Sequence, residues 1–599
     1  MAPLNSANTV APIEDASIPK PTPWFLLLVT MMTVVAVAVS VATVASTLYI
    51  AFYDYVRLPH GDEWDMIAHW HEKWQDTDSS WWHLFDQHNE HRIALPRLIF
   101  FSDLKWFEGS GIFTLGCLIS IQLIHSIFLC VLVCKSLRFK SVASLITSGL
   151  VILLMFSALQ IRNLVWGFQL QFVGVFALST LAFFSLLQHT PIRAHPNSRI
   201  SELPFSLGIM FCIGATFTMV NGLLTWPIGL LIGAQQRWPL RKFFFFLACG
   251  CITWFGYFHN FEFNPDHSNP WKALESIWVL ILYVAIYIGH PISPFWQEYA
   301  MGIGMVGILI TTASVVLFIF DKDNALFDSK ASRTLLAVSI FILLTALITG
   351  LGRVDFGLEQ AASSRYSTPA VIYWISSITI LLTVQLKNSR MKVALRHLSG
   401  FLIFSAIASA ITYQFKVPEI AEHLARTRMA AASSLLTGVY DESAIRHIYP
   451  GPRQVMDKIG ILQEERLSLF STDAATLVGQ PLNARLAMAS GNYCTGHIDE
   501  VNMVKSDKNG IRLAGWAVKR QAQKRADTVL FVVDGTINGI AFSGRQRPDV
   551  EKIFPEISDS GWLGYAKISP GETLQAYAIV SDGQAACLLN GVYQHQTED

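Results

Sequence analysis

Charged side chains are scarce in this sequence. Asp, Glu, Lys and Arg make up only 15% of its 599 residues, whereas 52% are hydrophobic. A soluble protein carries about 25% charged residues, so the composition excludes an ordinary soluble protein. The mean hydropathy of +0.40 favours a polytopic membrane protein. The net charge is +0, so nothing in the overall charge predicts a nucleic-acid partner.

Several signature motifs are also missing. The sequence contains no GxxxxGK[ST] loop, no GxGxxG before a helix, no HExxH and no spaced pair of CxxC motifs. ATP binding, dinucleotide binding and a structural zinc site therefore lack support. We predict no metal ligands and no certain cofactor, although a divalent metal remains possible for the chemistry considered below.

The sequence has few cysteines, and most of them have hydrophobic neighbours in the sequence. Six of the eight lie in hydrophobic runs, where cysteine acts as a small hydrophobic residue. Cys494 and Cys587 instead flank a polar C-terminal region. They would pair if that region lay outside the cytoplasm, but two cysteines alone leave the disulfide undecided.

Long apolar runs fill the first two thirds of the chain. A membrane-spanning helix needs about 20 apolar residues. The candidate spans are 24–52, 111–134, 141–160, 168–188, 205–220, 222–235, 243–258, 300–320, 335–350, 370–386 and 398–415. The first run is too long for a signal peptide and lacks a cleavage site, so we interpret it as a retained helix. The Pro-, Ala- and Ser-rich residues 1–23 before it are predicted to be a disordered cytoplasmic tail.

Basic residues predict the orientation. Lys and Arg cluster in short connections at 135–140, 191–199, 236–242, 321–333 and 386–397. All of these connections are cytoplasmic if the short run 276–289 is re-entrant or interfacial. The chain then crosses the membrane about eleven times, with the outer loop 53–110 and the C-terminus on the opposite side.

The chain divides into four parts. The tail is followed by a transmembrane domain, 24–417, and by a helical segment and linker, 418–493. Short β-rich runs in 494–599 are separated by Asp-Gly, Pro-Gly and Asn-Gly turns. They predict a β-sandwich of about 100 residues, so the fold class is mainly α with a C-terminal β-domain.

Many of the few charged residues lie in the outer loop. GDEWD at 61–65 supplies Asp62 and Glu63 just after the first span. A carboxylate at hydrogen-bond distance from a sugar hydroxyl can remove its proton as the hydroxyl attacks an anomeric carbon. We therefore predict Asp62 or Glu63 as a catalytic base, the alternative being a solvated loop end.

A second cluster in the same loop is QHNEHR at 87–92. On a helix, His88, His91 and Arg92 would share a face, and with Glu90 they form a candidate substrate-binding group for a phosphate or a hexose. The alternative is a polar helix start capped by Asp86 or Asn89. Asn221, in NGLLTWP, is a further candidate for substrate contact or for a polar link between helices.

The third cluster is GRVDFGLEQAASSRY at 352–366. Arg353 and Arg365 stand at the outer ends of neighbouring spans, where the positive-inside rule disfavours them. Arginine binds phosphate bidentately, and Tyr366 can add a donor. We predict a phosphate-binding role, the alternative being anchoring at the headgroup layer.

These motifs together resemble a known family. An acidic first outer loop, QHNEHR and a distal SRY are similar to the polytopic bacterial GT-C-type glycosyltransferases, which include O-antigen-modifying glucosyltransferases. The resemblance covers about residues 24–470, and the GWAV…VVDG…GWLGY region resembles β-domains appended to cell-envelope glycosyltransferases.

The resemblance implies a function. The fold would be GT-C, embedded in the bacterial inner membrane with the C-terminal domain in the periplasm. A hexose would pass, with inversion, from a polyprenyl-phosphate donor to a glycan or lipid acceptor of the cell envelope, such as lipopolysaccharide. Asp62 or Glu63 would be the base, and Arg365 would bind the donor phosphate.

Two other functions are compatible with a polytopic chain. A flippase or transporter of lipid-linked sugar would place charges near mid-membrane and show a two-fold repeat, and the sequence shows neither. A non-catalytic envelope scaffold with a glycan-binding β-domain would not require an acidic loop together with distal arginines.

Overall fold

The computed structural model describes most of the chain in nine stretches. They are 23–53, 55–74, 81–139, 142–188, 202–262, 275–293, 298–320, 329–384 and 389–595. The predicted N-terminal tail lies outside these residues, except for Pro23, which begins the first helix. The basic connection at 191–199 also lies outside them, as do parts of those at 135–140, 321–333 and 386–397.

The described residues before the C-terminal domain are almost entirely helical. The longer helices are α1 (Pro23–Phe52), α2 (Glu63–Trp74), α3 (Ala94–Trp106), α4 (Ile112–Leu137), α5 (Val142–Phe156), α6 (Leu170–Gln188), α7 (Leu203–Thr216), α8 (Thr225–Gln235), α9 (Leu240–Phe258), α10 (Ile277–Gly289), α11 (Glu298–Phe320), α12 (Lys330–Arg353), α13 (Ser367–Thr383), α14 (Ser389–Gln414), α15 (Val417–Leu436) and α16 (Pro452–Glu464). Four- and five-residue helices lie at Ile161–Leu164, Glu442–Arg446, Asp473–Leu477, Leu482–Arg485 and Pro548–Glu551.

Eight helical segments of the described residues are long and apolar enough to cross a membrane. They are Leu27–Phe52, Ile112–Leu137, Val142–Leu164, Gly167–Gln188, Glu298–Phe320, Lys330–Phe356, Ser364–Thr383 and Arg390–Gln414. Each coincides with a predicted span, so the polytopic helical architecture is confirmed. The other three predicted spans fall on α7, α8 and α9, and the count of eleven crossings stays a prediction.

The helix α10 has the features of the predicted re-entrant segment. Its 13 residues are fewer than the roughly 20 that a span needs. The Tyr283 hydroxyl donates to Gln360 Oε1 at 3.3 Å, and His290 Nε2 lies 3.2 Å from Ser367 Oγ. Gln360 belongs to the segment that joins α12 to α13, and Ser367 begins α13, so the middle and the C-terminal end of α10 lie beside this part of the chain, and the re-entrant placement of α10 stays a prediction.

The C-terminal strands form one closed sheet. They are β1 (Ala487–Met488), β2 (Cys494–Met503), β3 (Gly510–Lys519), β4 (Lys524–Arg525), β5 (Thr528–Val533), β6 (Thr536–Arg545), β7 (Gly561–Lys567), β8 (Thr573–Val580) and β9 (Ala585–Gln594). The order is β1-β9-β2-β3-β7-β6-β5-β8, and β8 also pairs with β9, which closes the sheet into a barrel. The predicted β-domain is confirmed, but the two facing sheets of a sandwich are not what forms.

The predicted Asp-Gly turn and the cysteine pair both help to hold the barrel. Asp534 (φ 48°) and Gly535 (φ 79°) make the two-residue turn between β5 and β6, the geometry that favours an Asp-Gly sequence. Cys494 in β2 and Cys587 in β9 are disulfide-bonded. The barrel interior is apolar and contains Phe531 and the fully buried Trp562.

A second core joins the barrel to the outer loop. It combines loop residues such as Trp64, helix residues such as Leu435 and Val455, and outward-facing strand residues such as Ile540. Ser433 of α15 donates to the Ile540 carbonyl at 2.6 Å. The parts predicted as 24–417, 418–493 and 494–599 therefore share buried contacts, and α15 begins one residue before the predicted boundary at 418.

Removal of the disulfide should destabilise the barrel. The bridge closes a sequence separation of 93 residues, and a cross-link over a loop of that length stabilises by about 4–5 kcal/mol through the unfolded chain. We expect Cys494→Ser with Cys587→Ser to melt at a lower temperature than the wild type in thermal unfolding of the detergent-solubilised chain. The same change at Cys117, which is unpaired, is the control, and equal melting of all variants would contradict the expectation.

Candidate functional site

The GDEWD motif forms a tight turn that starts α2. Gly61 has φ +55°, and a Cβ at this position would lie 2.6 Å from the Trp166 ring, so only glycine fits. The Gly61 N–H donates to the Ile448 carbonyl at 2.7 Å, and the Trp166 indole donates to the His60 carbonyl at 3.0 Å. The turn is thus fixed from two sides, by the connection before α6 and by the helical segment after the last span.

Asp62 is the exposed acid of the pair. Its side chain is 43% exposed, and its Oδ2 lies 3.9 Å from His88 Nε2. Burial raises the pKa of Asp62, but the nearby His88 ring and the charges of Arg365 and His91 outweigh it, so the pKa lies below its usual value. The carboxylate is therefore ionised at neutral pH and faces basic groups from two distant parts of the chain.

The QHNEHR segment is a hairpin, which corrects the predicted helix. The backbone N–H groups of His88 and His91 donate to each other's carbonyls at 2.7 and 2.9 Å. Asn89 at the turn has φ +49°, a left-handed conformation that interrupts a helix and that asparagine tolerates. The helix starts only at α3, so neither Asp86 nor Asn89 caps it. The two histidines nevertheless lie opposite each other beside Asp62, because a hairpin also pairs residues three apart.

Arg92 is tied to the backbone. Its guanidinium donates to the carbonyls of Phe85 and Tyr257, each at 2.5 Å, and to that of His259. The Arg92 side chain is 8% exposed. Its hydrogen bonds hold the hairpin against the end of α9. Glu90, the other predicted member, is partly buried, and its carbonyl accepts the Tyr257 hydroxyl at 3.2 Å.

Arg353 and Arg365 come together at α10. Both guanidiniums act electrostatically on Tyr283. Arg365 lies over the Tyr366 ring at 5.6 Å, and Tyr366 stacks on Tyr287 with 4.6 Å between ring centroids. Among the described residues, neither arginine forms an ion pair with a protein carboxylate, so their charges remain available to a ligand.

Asn163 holds this turn in place. Its Nδ2 donates to the Arg365 carbonyl at 3.0 Å and to Thr368 Oγ1 at 2.9 Å. Asn221 lies apart from the cluster, within the helix bundle. It is 3% exposed and donates to Thr345 Oγ1 at 3.3 Å, which matches the alternative reading as a polar link between helices.

Glu63 is the buried acid of the pair. Its Oε2 accepts the His60 N–H at 2.9 Å. Burial of the carboxylate raises its pKa to about 7, and Asp103 adds to the rise, whereas the His60 and Phe168 N–H groups and Arg428 oppose it. Glu63 is thus surrounded by backbone donors and charged side chains of the protein itself.

Several of these neighbours have little signal in the sequence. Arg428 lies in α15, where it resembles any surface charge of a polar helix, yet it donates to the Val165 carbonyl at 3.2 Å beside Glu63. Asp103 is 4% exposed and accepts the Gly111 N–H at 2.8 Å. Its position in the segment that leads into α4 is the one sequence feature that indicates burial.

The described residues offer no group of three or more His, Cys, Asp or Glu side chains placed to hold a metal ion.

Comparison with known proteins yields no relative. The chain matches no protein-family model, no curated protein and no solved structure.

The titration of Glu63 should make stability depend on pH. Its pKa rises from 4.5 to about 7 on folding, so between these values the folded chain binds more protons than the unfolded chain. The free energy of unfolding must then fall as pH rises through this window and level off above it. Relative to wild type, Glu63→Gln should lose this decline in thermal unfolding measured from pH 4.5 to 8.

The control is Glu108→Gln, because Glu108 lies in the same loop with a side chain that is 64% exposed. Parallel pH curves for wild type and Glu63→Gln would contradict the expectation.

Proposed function

We propose that the protein is a membrane glycosyltransferase of GT-C type that moves a hexose from a polyprenyl-phosphate donor to a cell-envelope glycan or lipid. One observation carries the proposal. One short segment holds both candidate groups, since Asn163 donates to the Arg365 carbonyl at 3.0 Å and Trp166 donates to the His60 carbonyl beside Asp62 at 3.0 Å. Sugar transfer from a lipid phosphate requires these two groups at opposite ends of the reacting bond.

The reaction follows from their positions. The Asp62 carboxylate accepts the proton of an acceptor hydroxyl as that oxygen attacks the anomeric carbon. The bond from this carbon to the donor phosphate oxygen breaks, and the electron pair leaves with the lipid phosphate. Arg365 and Arg353 stabilise the phosphate charge through guanidinium hydrogen bonds, and attack opposite the leaving group inverts the anomeric centre.

Asp62 rather than Glu63 is the base in this proposal. The Glu63 carboxylate already accepts protein N–H groups and lies next to Arg428, so it holds the turn on which Asp62 stands. Asp62 has an exposed face and a lowered pKa. His88 and His91 border Asp62 and are placed to orient it and the sugar, whereas Arg92 acts by tethering the hairpin.

The compartment is part of the proposal. The outer loop contacts the end of α9 through Arg92 and the barrel through a shared apolar core. The Cys494–Cys587 disulfide is typical of an oxidising compartment. We place the outer loop and the barrel in the periplasm of a bacterial inner membrane, with the N-terminus in the cytoplasm and eleven crossings around a re-entrant α10.

Asp62→Asn should abolish transfer. Removal of a general base lowers the rate by about 10²- to 10⁴-fold, while the affinity for the donor lipid should stay within about twofold. The measurement is mass spectrometry of envelope glycans from cells that carry the wild-type gene, the variant or no gene. Glu108→Gln is the matched control in the same loop, and full transfer by Asp62→Asn would rule out this base.

Arg365→Gln should weaken donor binding. Loss of a charge-assisted contact costs about 1.5–3 kcal/mol, which corresponds to roughly 10- to 100-fold in affinity for the polyprenyl-phosphate sugar. Arg353→Gln should act in the same direction, and Arg365→Lys should restore part of the affinity, since it keeps the charge but not the fork. The exposed Arg162 gives the control variant, and unchanged donor affinity in Arg365→Gln would refute the phosphate role.

A further inference from the structure

The turn between β3 and β4 carries a cluster of basic residues. The sequence KRQAQKR spans 519–525, and its cationic residues are Lys519, Arg520, Lys524 and Arg525. β3 and β4 pair as an antiparallel hairpin in which Lys519 lies opposite Lys524. Like charges directly opposite one another destabilise a strand pair, so an anion from outside the hairpin would stabilise it. We call residues 519–525 the basic hairpin.

Protein carboxylates neutralise only part of this charge. The first and last residues of the basic hairpin pair with Asp527 and Asp559, at 2.8 and 2.7 Å. Arg520 and Lys524 are exposed, and within the described residues neither side chain forms an ion pair. These two cations are therefore available to an anion from outside the protein.

The basic hairpin lies beside the end of α1. The Arg525 guanidinium lies 5.9 Å from the centroid of the Tyr53 ring, and the Tyr53 hydroxyl donates to Asp559 Oδ2 at 3.2 Å. Tyr53 directly follows α1, which is long and apolar enough to cross a membrane. A helix that crosses a membrane ends at the headgroup layer, so these two contacts place the basic hairpin beside the membrane surface.

Aromatic residues at this end of α1 fit the same placement. Tyr49, Phe52 and Tyr53 are 55%, 43% and 42% exposed, and Tyr and Trp rings are enriched where a membrane meets water. The headgroup region extends about 5–8 Å beyond each side of the hydrocarbon layer. Lys and Arg side chains are long enough to carry their charge over that distance, so the cations of the basic hairpin can reach lipid phosphates.

We propose that the basic hairpin binds the anionic headgroups of membrane lipids, with Arg520 and Lys524 as the groups that contact lipid phosphate. Guanidinium and ammonium groups form charge-assisted hydrogen bonds with phosphate oxygens. Each Lys or Arg near an anionic membrane surface strengthens binding about fivefold. The contact holds this edge of the barrel on the bilayer. It is independent of the proposed glycosyltransferase activity, since it uses no residue of the candidate site.

The other end of β3 provides a matched control. Lys505 and Lys508 are exposed in the turn before this strand. The 10 residues of β3, at about 3.3 Å each, put roughly 30 Å between this turn and the basic hairpin. The control variant, Lys505→Gln with Lys508→Gln, therefore removes the same charge as the hairpin variant, Arg520→Gln with Lys524→Gln, but away from α1.

The experiment is hydrogen–deuterium exchange of the full chain in nanodiscs. One set of nanodiscs contains phosphatidylcholine alone, and the other contains phosphatidylcholine mixed with phosphatidylglycerol. In the wild type and the control variant, we expect the amides of the basic hairpin to exchange roughly fivefold more slowly in the anionic nanodiscs, the worth of one cation at the surface. High salt should remove this protection, because it screens the attraction. The hairpin variant should exchange equally in both nanodiscs, and the amides of β5 report whether each variant is folded.

Three results would overturn the inference. The first is equal exchange of the wild-type hairpin in both kinds of nanodisc, and the second is the same protection in the hairpin variant as in the wild type. The third is protection by soluble glycerol phosphate in phosphatidylcholine nanodiscs, which would assign the basic hairpin to a free anion instead of a lipid surface.

Discussion

The buried carboxylate of Glu63 is the interaction on which the candidate site depends. It brings together the turn before α2, the connection before α6, Asp103 in α3 and Arg428 in α15. A carboxylate that leaves water must be compensated by donors and opposite charge. The compensating groups here, the His60 and Phe168 N–H groups and Arg428, come from three different parts of the chain, whereas Asp103 opposes ionisation. Because Asp62 is the neighbouring residue, its direction is set by the same contacts.

The C-terminal half supports this arrangement from the other side. Asp65, the last residue of the motif, pairs with Lys458 and accepts the Tyr449 hydroxyl. Together with the Gly61–Ile448 bond, these contacts press α2 against the helical segment that covers the barrel. The outer loop, this helical segment and the barrel share one apolar core, which fills the space between them. The β-domain is therefore part of the support for the outer loop rather than an independent appendage.

The sequence predicted those features that depend on local pattern. Long apolar runs predicted the spans, the Asp-Gly pair predicted the β5–β6 turn, and the acids of the loop marked the site. The predictions from sequence were wrong where tertiary contacts determine the conformation. The spacing of His88 and His91 fits one helical face, but Asn89 adopts φ +49° and a hairpin forms instead. Closure of the barrel depends on β8 pairing with β9, and single-strand patterns cannot distinguish a closed sheet from a sandwich.

Arg92 and Arg365 show why the choice between candidate site residues requires the structure. In sequence, Arg365 is the predicted ligand of the donor phosphate, and Arg92 is a candidate for binding a phosphate or a hexose. In the fold, Arg92 has its hydrogen-bond donors taken up by backbone carbonyls, whereas Arg365 contacts a ring face and Ser363. A guanidinium surrounded by carbonyls would lose those bonds to bind an anion, whereas one that lies on an aromatic ring keeps most of its donors. The availability of donors, more than the charge, therefore favours Arg365 over Arg92 as the proposed phosphate ligand.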